Sequence, residues 1–184
     1  MGGSYGGYAA LCATAFTPGT FACAVDVVGP ANLETFMATI PKTWSLDHFA
    51  RRVGDPRAED GRAHLRARSP IHFVDQVRGP ILVAHGANDA RVPQVESDSM
   101  VAALAHRGVR VTYLLYPDEG HGFLRPENSM AFYAVTEAFL AANLGGRCEP
   151  IGARLKGSSL RVPAGAEHVP GLAEALGASG APGR

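Results

Sequence analysis

The sequence has no excess of charge of either sign. Its 17 Lys and Arg residues balance 17 Asp and Glu residues, so the formal net charge at pH 7 is zero. Proteins that bind nucleic acid or anionic membrane surfaces typically carry a concentrated positive charge. We therefore expect neither nucleic acid nor a membrane as a partner of this chain.

Long apolar runs and a cysteine framework are also missing. No apolar run approaches the roughly twenty residues that span a bilayer, and no basic stretch followed by an apolar core begins the chain. Cys12, Cys23 and Cys148 form no C-x-x-C pair, and we expect reduced thiols. The 184 residues, 46% hydrophobic and 18% charged, are typical of one water-soluble globular domain, for which we expect a cytoplasmic location.

The chain does have a G-x-S-x-G frame, at residues 2–6, with Ser4 at its centre. In this motif the serine lies on a strained turn between a strand and a helix, and its hydroxyl projects as a nucleophile. The strand that should precede the turn is missing from the sequence. Gly-rich pentamers that contain serine also arise by chance, so Ser4 could instead be a small residue in a flexible terminus.

Two later loops supply an acid and a base. An apolar run at residues 80–84 predicts a buried strand that ends shortly before Asp89, and a second strand at 111–116 precedes His121, which lies between two glycines. The order Ser, Asp, His is that of an α/β-hydrolase sheet. Taken singly, Asp89 could be a turn residue and His121 a polar loop residue. Asp26, also near a strand end, is an alternative acid.

These residue types assign the chemistry. His121 would take the proton of Ser4 during attack and return it to the leaving group, while Asp89 would orient the imidazole. The backbone N–H of Tyr5 is the first candidate donor to the oxyanion. The second donor normally comes from a loop earlier in the chain, which this sequence does not contain. This chemistry needs no metal and no organic cofactor.

The segments GGSYGGY, HGANDARVP, YPDEGHGF and FLAANLGG resemble the catalytic domain of the prolyl oligopeptidase family of serine peptidases. The resemblance runs from residue 1 to about residue 146 and is strongest to acylaminoacyl-peptidase and dipeptidyl-peptidase-like members. It implies an α/β-hydrolase fold, a parallel sheet with helices on both faces, and Ser4, Asp89 and His121 as the triad. It also implies peptides or acylated amino acids as substrates.

The chain departs from that family at its start. Members carry a β-propeller and several further strands before the serine, so we expect an N-terminally truncated hydrolase domain over residues 1–146. Residues 147–184 would be a C-terminal extension whose last dozen residues are loosely ordered. A sheet of three strands with one bare edge also predicts self-association through that edge.

Hydropathy patterns predict the other elements. Strands are expected at 21–27, 80–84 and 111–116, and helices at 8–16, 30–39, 93–108 and around 132–139, with a mostly helical excursion at 44–68. Arg91 and Glu34 lie near the expected mouth of the site and could contact substrate, but we expect them at solvated loop positions, and the remaining histidines at surface or loop positions. A carboxylesterase with the same triad, or a catalytically inactive fragment without the oxyanion loop, remains an alternative to a peptidase.

Overall fold

The computed structural model describes residues 1–179 and contains one five-stranded sheet. The strands lie in chain order across the sheet, and the first four are parallel while β5 runs antiparallel to β4. Their bounds are β1 (Gly2–Gly3), β2 (Ala24–Val27), β3 (Ile81–Gly86), β4 (Val111–Tyr116) and β5 (Arg161–Ala164). The three predicted strands are therefore present, and two further strands extend the sheet.

Neither additional strand has a hydrophobic pattern that predicts it. β1, the strand expected to be missing, is a stub of two glycines that pairs with Asp26 and Val27 of β2. β5 contains Pro163 and alternates between exposed and half-buried residues. Proline lacks a backbone N–H and is confined largely to sheet edges, which is where β5 lies.

Seven helices connect and cover the strands within the described residues. Two of them, α3 and α4, form the predicted excursion and are separated near Gly54, whose φ of +142° suits glycine. The helices are α1 (Tyr5–Phe16), α2 (Leu33–Thr39), α3 (Leu46–Arg52), α4 (Glu59–Ala67), α5 (Val95–His106), α6 (Pro126–Leu144) and α7 (Leu172–Ser179). In the part of the chain that the structure describes, no helix is long and apolar enough to cross a membrane.

The core has a layer on each face of the sheet. β3 is buried along its whole length, with Leu82 and Ala84 facing α6 and Ile81 and Val83 facing α1 and α5. Parallel sheets are typically covered on both faces in this way, because helices connect their strands. A third, smaller cluster joins α2 and α4 around Phe36 and Leu65.

The C-terminal segment packs into the main core. Ile151, Leu155, Leu160, Val169 and Leu172 are all at most 2% exposed and belong to the same cluster as α6. The expectation of loose order is wrong for residues 173–179, which form most of α7, because this helix buries apolar residues against the core. Residues 180–184 lie outside the described residues.

Candidate active site

Ser4 lies on a strained turn between β1 and α1. Its φ of +56° is in the left-handed region, which non-glycine residues seldom adopt, and its N–H donates to Val27 O at 2.8 Å. A Cβ on Gly2 would come within 2.2 Å of Gly6 O. The first glycine of the frame is therefore required by close backbone approach, as expected for a serine elbow.

The carboxylate of Asp89 is buried in the loop after β3. Its Oδ1 accepts hydrogen bonds from the backbone N–H groups of Arg91 at 2.8 Å and Val92 at 2.9 Å, and its side chain is fully buried. These two bonds fix the carboxylate and leave Oδ2 directed toward His121. Asp89 is thus both a turn residue and a partner of the histidine.

His121 bridges the acid and the serine. Its Nδ1 lies 2.7 Å from Asp89 Oδ2, and its Nε2 lies 2.8 Å from Ser4 Oγ. Because a carboxylate only accepts hydrogen bonds, Nδ1 is the donor, and in the neutral ring Nε2 is then free to accept the serine proton. The structure therefore brings the three residues singled out in the sequence into one hydrogen-bonded chain.

The backbone N–H of Tyr5 stands at the start of α1. The first N–H groups of a helix have no partner within the helix and carry the positive end of its dipole. Tyr5 directly follows Ser4 and is the first residue of α1, and its role as the first donor to the oxyanion stays a prediction.

Asp26, the alternative acid, is used differently. It is fully buried in β2, where Oδ1 accepts from Gly29 N at 3.0 Å and Oδ2 has no hydrogen-bond partner among the residues that the structure describes. Burial raises the pKa of this carboxyl to about 8. A residue in this state is a neutral acid at pH 7, unlike the charged partner that an imidazolium requires.

His85 is a correction to the expectation that the remaining histidines are surface or loop residues. It is fully buried near the end of β3, with Nε2 3.0 Å from Val92 O and Nδ1 2.7 Å from Ser97 Oγ. Since a carbonyl only accepts, Nε2 is the donor, and burial lowers the pKa of the ring. The neutral ring packs against the loop of Asp89, and its Nε2 lies 3.8 Å from Asp89 Oδ2.

Sequence reasoning missed Glu119, which organises the histidine loop. This carboxylate is 3% exposed and accepts from the backbone N–H groups of Leu124 at 3.0 Å and Arg125 at 2.9 Å. Its backbone carbonyl accepts from Asn88 N at 2.8 Å, which ties the acid loop to the base loop. The available signal was a carboxylate two residues before the histidine in a tight turn.

Glu96 was also missed, and it holds the start of α2. The buried carboxylate accepts from Ala31 N at 3.0 Å and Asn32 N at 2.8 Å. These contacts connect α5 to the segment that carries Leu33 and Phe36. No sequence pattern marks this contact, because 64 and 65 residues separate its partners.

A cavity of about 510 Å³ opens beside Ser4. Its walls include Leu33, Phe36, Trp44 and Phe49, and the last two rings stack with centroids 5.1 Å apart. The excursion of α3 and α4 therefore contributes one wall. Arg91 lies exposed on its lining.

Glu34 is half-buried and does not line this cavity. Its carboxylate lies 3.4 Å from His72 Nε2 and 3.7 Å from Arg66. Glu34 is therefore part of a charged cluster next to α4, rather than a free carboxylate at the mouth of the site.

The architecture defines a class of protein. A serine on a strained turn before α1, an aspartate after β3 and a histidine after β4, on a mostly parallel sheet covered by helices, constitute the α/β-hydrolase fold. Residues 1–147 match the sequence profile of the prolyl oligopeptidase family. The chain belongs to this family, which confirms the resemblance seen in the sequence.

Two curated proteins with peptidase names are similar in sequence to this chain. The chain is 57% identical over 178 residues to dipeptidyl aminopeptidase BIII of Pseudoxanthomonas mexicana, covering 96% of this chain and 26% of that protein. It is 52% identical over 153 residues to dipeptidyl peptidase family member 6 of Caenorhabditis elegans, covering 82% and 21%. The chain thus spans about a quarter or less of the length of these relatives.

Solved structures show the same fold. A puromycin-hydrolyzing peptidase of Mycobacterium tuberculosis superposes with a TM-score of 0.72 at 28% identity, over 80% of this chain and 22% of that one. An acylaminoacyl peptidase of Pyrococcus horikoshii gives a TM-score of 0.71 at 24% identity, over 80% and 24%. These similarities confirm the predicted α/β-hydrolase fold.

Proposed function

We propose that this chain is the part of a serine peptidase that carries the triad, with Ser4 as nucleophile, His121 as general base and Asp89 as the acid that orients it. The observation that carries the proposal is the continuous hydrogen-bonded chain from Asp89 Oδ2 to His121 to Ser4 Oγ, at 2.7 and 2.8 Å. Both distances lie within the range required for proton transfer in a reacting complex.

The proposed reaction has two halves. As Ser4 Oγ bonds to the carbonyl carbon, His121 Nε2 takes the hydroxyl proton, and it then gives that proton to the leaving nitrogen as the C–N bond breaks. Water next attacks the acyl-enzyme, with His121 accepting its proton and returning it to Ser4 Oγ. Asp89 stays ionised and stabilises the imidazolium, while Tyr5 N–H donates to each oxyanion.

The substrate class is proposed from the relatives and the cavity. One relative is named a dipeptidyl aminopeptidase and another, from Mus musculus, an acylamino-acid-releasing enzyme, which supports a peptide or acyl-peptide substrate. The apolar walls formed by Leu33, Phe36, Trp44 and Phe49 support uptake of an apolar substrate side chain next to Ser4.

A fluorophosphonate probe tests the proposal on the folded chain. We expect labelling of the wild type and of Ser99→Ala, an exposed serine on α5, and no labelling of Ser4→Ala or His121→Ala. An unlabelled but folded wild type would contradict the proposal and favour an inactive fragment. Hydrolysis of an N-acetylated phenylalanine p-nitrophenyl ester, without hydrolysis of the matching p-nitroanilide, would favour the carboxylesterase.

We also propose self-association through the edge of the sheet formed by β1. Among the described residues β1 pairs with β2 alone, and a bare strand edge offers unpaired N–H and C=O groups to another chain. Sedimentation equilibrium would show a dimer or larger species if this is right, and a monomer at all concentrations if it is wrong. The division at residue 146 and the cytoplasmic location stay predictions.

A further inference from the structure

Asn128, in the first turn of α6, is a buried amide with every polar atom occupied. Its Nδ2 donates to Glu119 Oε1 at 2.8 Å and to Asp118 Oδ1 at 3.0 Å, and its Oδ1 accepts from Ser158 Oγ at 2.8 Å and Ser159 N at 2.9 Å. The side chain is fully buried, and within the described part of the chain all of its hydrogen bonds go to residues outside α6. It therefore links two loops and does not serve its own helix.

The donor side of Asn128 holds the loop of His121. Glu119 precedes the histidine by two residues, and its carboxylate is bonded to Leu124 N and Arg125 N on the other side of His121. Glu119 thus connects the residues before His121 to the residues after it and closes the loop around the histidine. Asn128 adds a third donor, from a side chain outside the loop, to this buried carboxylate, and each donor reduces the free-energy cost of burying the charge.

The acceptor side of Asn128 contacts the C-terminal segment. Ser158 and Ser159 lie between Leu155 and Leu160. These two leucines are at most 2% exposed and pack in the main core. The two serines are therefore fixed by apolar burial on either side. Ser159 Oγ also contacts Asp118 directly. This segment lies beyond residues 1–147, the part of the chain that matches the family profile.

We propose that Asn128 is a positioning residue that couples the C-terminal segment to the general base. Through Ser158 and Ser159 on one side and Glu119 on the other, it fixes the loop in which His121 reaches Ser4 Oγ. The inference rests on the proposed function for its catalytic consequence. Its structural content, the position of the His121 ring, can be measured without any turnover.

The sharpest variant is Asn128→Asp, which keeps the size of the side chain. The carboxylate has no N–H to offer Glu119 and Asp118, and it repels both. We expect the rate constant of fluorophosphonate labelling at pH 7 to fall by about 10- to 100-fold, since a displacement of about 1 Å at a reacting group has this effect. The probe concentration that gives half-maximal rate should change much less, because Asn128 does not line the cavity.

Asn143→Asp is the matched control. Asn143 lies in the last turn of the same helix, and among residues 1–179 its Nδ2 donates only to Phe139 O, at 2.7 Å, far along α6 from the histidine loop. It makes the same chemical change on the same element, so its labelling rate should equal that of the wild type. Ser158→Ala, which removes one donor to Asn128 but leaves Ser159 N, should have an effect of only a few-fold.

A second measurement uses NMR of imidazole-labelled histidine, with the His121 signals assigned from His121→Gln. In Asn128→Asp we expect faster solvent exchange of the His121 Nδ1 proton, while the signals of buried His85 stay unchanged. Unchanged labelling kinetics and an unchanged His121 signal in a folded variant would overturn the proposal. Parallel changes at His121 and His85 would also overturn it, because they indicate general destabilisation. A wild type without labelling would refute the proposed function, while the His121 signal would still decide the positioning role.

Discussion

The serine side and the acid-base side of the site are held by different means. Ser4 follows β1, a strand of two glycines, and depends on a left-handed backbone and on contacts that only glycine allows. Asp89 and His121 follow strands of six residues and are fixed by buried hydrogen bonds to backbone N–H groups and side chains.

Because the two sides are held by different contacts, we expect them to tolerate different substitutions. A turn defined by close backbone approach is sensitive to added volume, because backbone atoms cannot move aside. A loop defined by buried polar contacts is sensitive to the loss of a donor or acceptor at constant volume. The two sides can therefore be distinguished by isosteric and by volume-adding substitutions.

The largest expected effect is that of Asp89→Asn on the acid-base side. The new Oδ1 can still accept from Arg91 N and Val92 N, so the fold should be retained. The new Nδ2 is a donor facing His121 Nδ1, which favours the tautomer with the proton on Nε2 and removes the acceptor for Ser4. We expect turnover of an ester substrate to fall by about 10⁴-fold.

Asp75→Asn is the control for this variant. It makes the same chemical change at an exposed residue in the segment before β3, away from the triad. Urea unfolding of both variants should give free energies of unfolding close to that of the wild type. If Asp89→Asn instead unfolded the protein or lowered its free energy of unfolding by several kcal/mol, the loss of turnover would reflect a loss of structure. The acid-base side would then depend on packing, as the serine side does, and the contrast between the two sides would be wrong.

The arrangement of the three site residues could be predicted from the sequence, whereas their support could not. Ser4, Asp89 and His121 each follow a strand, and the ends of parallel strands meet at one edge of a sheet. The contact of Glu96 with Ala31 N joins residues 65 positions apart, and that of Asn128 with Ser158 joins residues 30 positions apart, and hydrophobic periodicity indicates neither. Only the three-dimensional packing brings these pairs together.

The next effect concerns Asp26, which lies beneath the serine turn. Burial raises the pKa of its carboxyl from 3.8 to about 8. The unfolded chain ionises this group above about pH 4 while the folded protein does not, so the group's contribution to stability is complete below pH 4 and is lost as the pH rises toward 8. Each pKa unit is worth about 1.4 kcal/mol, so the loss amounts to several kcal/mol.

Asp26→Asn should abolish this dependence. The amide oxygen can still accept from Gly29 N, and the side chain cannot ionise. Relative to the wild type, we expect the variant's free energy of unfolding to increase steadily between pH 4 and pH 8 and then to level off, as measured by urea titration at each pH. Asp75→Asn serves again as the control. A difference from the wild type that is independent of pH would refute the assignment.

The missed strands have a related physical cause. β1 and β5 are stabilised by their neighbours, β2 and β4, and not by their own hydrophobic pattern. Two glycines carry no side-chain signal, and Pro163 argues against a strand unless the strand lies at an edge. Edge elements of this kind can be recognised only once the central strands have been placed.

The smallest effect is that of Gly7→Ala, which tests the serine side directly. A Cβ at Gly7 would lie 2.2 Å from Asp26 Oδ1 and 3.0 Å from the backbone of Gly29, and the Asp26 carboxyl group is fully buried and has no room to move away. Alanine favours a helix over glycine by about 0.5–1 kcal/mol, but overpacking costs about 1–3 kcal/mol. We therefore expect a net loss of stability in urea titration.

Gly6→Ala makes the same change one position earlier in α1. A Cβ there meets nothing within 4 Å, so the helical preference of alanine should act alone and stabilise the protein by about 0.5–1 kcal/mol. The pair separates volume from propensity, since the two sites share the helix and differ in the space around them. Equal stability of the two variants would mean that the turn yields to added volume, and the contrast between the two sides of the site would then be wrong.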